Sequence, residues 1–121
     1  MSYDSENIFA KILRGEIPCD KVYENDHALA FNDIGPQAPV HVLIIPKGPY
    51  LSSSEFSANA TDAELAGFMR AIHAVAEKSG VLESGYRLIA NAGEDGHQEV
   101  PHFHVHLVGG RPIGPMIKRV D

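Results

Sequence analysis

Hydrophobic and polar positions along this chain follow two different periods. From Thr61 to Ser79 the apolar residues Leu65, Phe68, Met69, Ile72, Val75 and Ala76 recur at helical spacing. Thr61-Asp62-Ala63-Glu64 supplies a capping-box start for that helix, and Gly80 a stop. A shorter helix is predicted over Asn7 to Arg14, with Ile8, Ile12 and Leu13 apolar and Gly15 ending it. Elsewhere the apolar segments are short and strand-like. Lys21 to Glu24 and Ala28 to Phe31 read as two strands joined by the turn Asn25-Asp26. Val40 to Ile45 is apolar throughout except for His41, which suits a strand buried on both faces. Tyr86 to Ala90 is another strand, and Pro101 opens a last one that runs to Leu107.

Between these elements, Ser52 to Asn59 shows no clear period and reads as a loop, as does Asn91 to Val100. The tail from Gly109 to Asp121 is rich in Gly and Pro and is expected to be irregular. Strands dominate and the connections are mostly short. The fold class expected is therefore α+β, with an antiparallel sheet of about five strands and two helices. No linker, repeat or low-complexity tract divides residues 1–121, so one domain is expected.

Composition narrows the function classes. A formal net charge of −6 disfavours a broad nucleic-acid surface, which needs many Lys and Arg contacts. No apolar run approaches the roughly 20 residues that span a bilayer, so no membrane partner is expected. The acidic start lacks an apolar signal region, and Cys19 is the sole cysteine. Both features suit a cytoplasmic protein. An anionic substrate would have to be met by a local cluster, and seven histidines offer one.

The decisive segment is His102-Phe103-His104-Val105-His106-Leu107. In an extended strand, successive side chains point to opposite faces. The three imidazoles then share one face, roughly 6.5 Å apart at a rise of about 3.3 Å per residue, and the apolar residues share the core face. Three uses compete for such a row. One is a metal site, with Glu99 or His41 completing the ligand set, because the outer rings lie too far apart to chelate one ion together. Another is an exposed polar sheet face. A third is nucleophilic and acid–base chemistry at phosphorus, for which imidazole offers both protonation states near neutral pH. The third accounts for several rings acting together, and it requires neither metal nor cofactor.

The segment from His102 to Gly110 resembles the signature of the histidine triad (HIT) family. Ile8-Phe9, Ile17-Pro18, Phe31-Asn32-Asp33-Ile34, Pro36-Gln37-Ala38-Pro39, His41 and Ile45-Pro46-Lys47 resemble segments of its Hint-like branch. The resemblance covers about Asn7 to Met116. It implies a HIT-like fold, a homodimer, and hydrolysis or transfer on purine nucleoside (AMP-type) phosphoramidates or related derivatives through a nucleotidyl-histidine. A dinucleoside polyphosphate hydrolase, or a nucleotide-binding interaction protein with vestigial activity, are the alternatives.

His104 is central in the row, and the resemblance makes it the nucleophile. His106 is expected to contact the phosphate or assist the leaving group, and His102 to orient its neighbours. The resemblance makes His41 a partner of the triad, although a buried histidine in a strand is more often plain core. It also implies that Asp33 accepts from ribose hydroxyls and that Phe9, Ile17, Phe31 and Ile34 line a slot for the base. Asn91, His97, Gln98 and Glu99 lie in the Gly-containing loop expected on the phosphate side. His97 stands where a glycine is common in the family, and Glu99 where some members carry serine. A carboxylate there suits a cationic leaving group or slows turnover.

Overall fold

A computed structural model describes residues 2–117 of the chain. Its elements run α1 (Ile8–Leu13), β1 (Lys21–Glu24), β2 (Ala28–Asn32), β3 (Val40–Pro46), α2 (Ser53–Asn59), α3 (Asp62–Lys78), β4 (Tyr86–Ile89) and β5 (Val105–Gly109). The five strands form one sheet in the order β1-β2-β3-β5-β4, with every neighbouring pair antiparallel. The fold is thus α+β, as expected, with three helices rather than two.

Alternation along the strands sorts the core into two layers. Ala28, Ala30, Val42, Ile44, Val105 and Leu107 join Phe68, Ala71, Ile72, Val75 and Ala76 of α3 in one cluster. Two of the strand positions beneath the helix are alanines, which let α3 approach the sheet closely. The intervening residues Leu29, Phe31, Leu43 and Ile45 face the other way and pack with Phe9 of α1. The period-two pattern of β2 and β3 therefore places α3 on one face and α1 on the other.

Local chemistry sets the ends of the helices. Thr61 and Glu64 make both bonds of the capping box that opens α3. Asn7 caps α1 by accepting from the Ala10 amide. The turn between β1 and β2 is built on Asn25, whose Oδ1 accepts from the amides of His27 and Ala28. Its Nδ2 donates to the Gly67 carbonyl, tying the hairpin to α3.

Two expectations need correction. Ser53–Asn59 is a helix, not a loop. Its seven residues make fewer than two turns and carry one buried anchor, Phe56, so no period could develop. Phe56 packs against Tyr50, Phe68 and Phe103 with centroids 5.1–5.2 Å apart. The histidine strand also starts later than the alternation suggests. Its ladder with β3 ends at the pair Ile44↔Val105. Farther along, β3 runs into Pro46, which has no N–H to offer. His102 to His104 are held by other bonds.

Candidate active site

The site lies on the α1 side of the sheet, where β3 and β5 run side by side. Cross-strand register puts His41 opposite Val108 and Leu43 opposite His106. His41, His104 and His106 thereby share one cavity of about 630 Å³ with Phe9, Asp33 and Asn91. That volume suits a small-molecule ligand.

Backbone groups set the tautomers of His41 and His104, because an amide N–H can only donate and a carbonyl can only accept, and His41 in turn sets that of His106. The Gln37 amide donates to His41 Nδ1 at 3.1 Å, so the His41 proton sits on Nε2. That Nε2–H faces His106 Nδ1 at 2.9 Å, with Asp33 Oδ2 farther off at 3.5 Å. His106 Nδ1 accepts, and its own proton therefore rests on Nε2. His104 is set in the opposite sense. Its Nδ1–H donates to the His102 carbonyl at 2.8 Å, leaving Nε2 with a free lone pair. The ring centroids of His104 and His106 are 5.1 Å apart. One imidazole thus offers a nucleophile beside another that offers a proton.

Burial reinforces this arrangement. Desolvation pushes the pKa values of His102 and His104 below the usual histidine value, against the opposing pull of the carbonyl each ring bonds. His106 is pushed down to about 4, first by burial and then by its neighbours His104 and His41. The rings are neutral near pH 7, as the tautomer assignments require. Phe9 stands edge-on to His104 at 5.0 Å and closes that side from water.

His102 is not on the cavity wall. Its ring is fully buried, with Nε2–H donating to the Pro46 carbonyl and Nδ1 accepting from the Tyr3 hydroxyl. It acts on the site through its carbonyl. Asp33 lines the cavity while its Oδ1 accepts from the Gly35 amide. Asn91, His97 and Glu99 also line it, with His97 Nε2 3.0 Å from Glu99 Oε1 on the rim. Gln98 faces inward instead. It accepts from the Gly93 amide and donates to the Leu51 and Val100 carbonyls, holding the loop in shape.

The other three expected base-slot residues are not gathered there. Phe31 is buried in the α1-side core, since its register opposite Leu43 carries it under the helix. Ile17 lines a separate depression with Ile12, Leu13 and Cys19. Ile34 follows the end of β2 and is fully exposed. In their place Leu43, Ile89, Val108 and Ile113 supply the apolar wall, and Arg111 adds a guanidinium. Leu43 and Val108 were findable in the sequence, two residues along the strands from His41 and His106. Arg111 carries no comparable signal.

Asp33, His41 and His106 also offer ligand atoms within 4.8 Å of one another. Seating a cation there would break the His41–His106 hydrogen bond, so the bonded relay is the simpler account of this trio.

An antiparallel sheet with imidazoles from adjacent strands converging on a cavity defines the histidine-triad class of protein. The model of the HIT domain matches residues 14–113, and the chain belongs to that family. It is 58% identical over 118 residues to an uncharacterized HIT-like protein of Azospirillum brasilense, covering 98% of this chain and 97% of the relative. It is 49% identical over 112 residues to the purine nucleoside phosphoramidase of Escherichia coli K12, covering 93% of each chain. Among solved structures, a HIT family hydrolase from Clostridium thermocellum superposes with a TM-score of 0.85 at 42% identity, covering 95% of this chain and 99% of the other.

Proposed function

We propose that this protein hydrolyses purine nucleoside 5'-phosphoramidates, or transfers their nucleotidyl group, with His104 as nucleophile. The observation that carries this is the free Nε2 lone pair of His104, fixed by the bond from its Nδ1–H to the His102 carbonyl. The similarity to the E. coli phosphoramidase supports the same substrate class.

In the first step His104 Nε2 attacks phosphorus, a P–N(His) bond forms, and the P–N bond to the leaving amine breaks. The amine leaves with a proton supplied by solvent, while His106 Nε2–H donates to a phosphate oxygen and His41 Nε2–H keeps His106 Nδ1 an acceptor. In the second step water attacks phosphorus, the P–N(His104) bond breaks, and the proton lost by the water passes to solvent, giving a nucleoside monophosphate and restoring His104. Dividing one displacement into two is the usual gain of covalent catalysis. A ribose hydroxyl would donate to the carboxylate of Asp33, which lines the cavity.

The working unit is a homodimer in the cytoplasm. β4 is an edge strand whose Tyr86, Leu88 and Ile89 remain exposed. Such an edge is open to pairing with a second copy. Among the described residues, no helix is long and apolar enough to cross a membrane.

The deciding experiment compares the native protein with His104→Ala on a fluorogenic adenosine phosphoramidate. Native protein is expected to release amine and AMP, with the variant reduced by at least about 10³-fold. Equal rates would remove His104 from its role. Turnover of dinucleoside polyphosphates alone would move the activity to P–O–P bonds.

A further inference from the structure

The sheet does not hold the nucleophile proposed above. β5 begins at Val105, and its ladder with β3 stops at Ile44↔Val105. Residues 102–104 take their position from other ties. The His102 amide donates to the Val100 carbonyl at 2.9 Å, and the Phe103 amide to the Tyr50 carbonyl at 2.8 Å. The third tie is the His102 ring, strung between Pro46 and Tyr3.

That ring works as a strut. At one end its Nε2–H donates to the Pro46 carbonyl at 2.9 Å, where β3 ends. At the other, its Nδ1 accepts from the Tyr3 hydroxyl at 2.7 Å. A carbonyl cannot donate, so Nδ1 must be the accepting nitrogen, and Tyr3 provides its proton. The carbonyl of the same residue receives His104 Nδ1–H. The rotation and tautomer of His104 therefore depend on how firmly His102 is held.

Tyr3 is not on a loose tail. The Asn7 amide and Nδ2 both donate to the Asp4 carbonyl, and Arg14 donates to that of Ser5. Farther along the same segment, Phe9 stands edge-on to His104 and to His102 at 5.0 and 6.3 Å. Residues 3–9 precede the part of the chain that the HIT domain model matches.

We propose that Tyr3 is a positioning residue for the nucleophile: its hydroxyl secures the His102 strut, and the strut's carbonyl holds His104 with its Nε2 lone pair toward the cavity. The inference rests on the proposed function only in naming His104 as the attacking group. Without the hydroxyl, a fully buried acceptor loses its partner, and the ring must turn or admit water. Either change moves the carbonyl that fixes His104.

Tyr3→Phe tests this, because it keeps the aromatic edge against His102 and removes only the donor. Expected is a fall in kcat of about 10- to 100-fold on adenosine phosphoramidate with KM nearly unchanged, since binding groups stay in place while attack geometry degrades. The ring-nitrogen NMR spectrum should show the His102 Nδ1 signal displaced and the His104 Nδ1–H proton exchanging faster. An unchanged kcat overturns the proposal, as does a fall in kcat with the ring-nitrogen signals of His102 and His104 in place. If the native chain turns over no phosphoramidate, the proposed function fails, and the same NMR comparison alone decides for or against the strut.

Discussion

His41 Nε2 lies 2.9 Å from His106 Nδ1, although 65 residues separate the two in the chain. The contact exists because β3 and β5 are paired in a register that sets Leu43 opposite His106, with His41 two residues farther along on the same face. It makes His41 the donor that fixes the proton of His106 on its cavity-facing nitrogen. His41→Ala is expected to lower kcat on a phosphoramidate by about 10- to 100-fold, below the roughly 10²- to 10⁴-fold typical of direct acid–base help, because His41 acts through His106. His41→Gln, whose amide can still donate, should recover part of that loss. Steady-state kinetics on the two variants checks both statements, and equal losses would show that the donor at position 41 is immaterial.

Stability should fall on the acid side. His102, His104 and His106 have folded-state pKa values below the ordinary 6.5, with His106 at about 4. The unfolded chain therefore binds protons that the folded chain refuses. Above about pH 6.5 neither state is charged at these rings and the full stability is present. As pH falls from there toward 4, the unfolded state gains and stability is lost progressively. Thermal melts between pH 7.5 and 4 check this, and a transition temperature constant over that span contradicts it. His106→Asn should flatten part of the slope.

His97 has a φ of 57°, the one left-handed backbone among the described non-glycine residues. A side chain in that conformation costs about 1–2 kcal/mol, which a glycine avoids. Histidine at this position must therefore be compensated. Its ring bonds Glu99 on the cavity rim. His97→Gly is expected to stabilise the fold by up to about 1 kcal/mol, the glycine's greater unfolded-state entropy offsetting part of the relief. Calorimetry measures the sign.

The exposed edge of β4 carries Leu88, 43% exposed in the isolated chain. Leu88→Glu should convert a dimer to monomer, because a charge buried without a partner opposes association. Sedimentation of native and variant protein decides. A native monomer would remove the dimer from the proposal.

Incubation with a chelator should leave phosphoramidase activity intact, since the protons of His41 and His106 are assigned by hydrogen bonds and no proposed step needs an ion. Loss of activity, restored by a divalent cation, would instead assign Asp33, His41 and His106 as ligands.

The sequence alone determined the elements whose physics is local. The capping box of α3, the Asn25 turn and the apolar run of β3, buried on both faces, stand where adjacent residues put them. The imidazole row was equally legible, and with it the family. The interval Ser53–Asn59 was not, because one phenylalanine in seven residues sets no period and its helix is secured by distant aromatic contacts. Nor could alternation reveal that His102 turns from the cavity to bridge Tyr3 and Pro46. The same holds for Phe31, placed under α1 rather than on the cavity wall. Tautomers, too, belong to the tertiary level. Whether a ring nitrogen donates depends on which carbonyl, amide or imidazole the fold brings to it, and residues far apart in sequence supply those partners for His102 and His106.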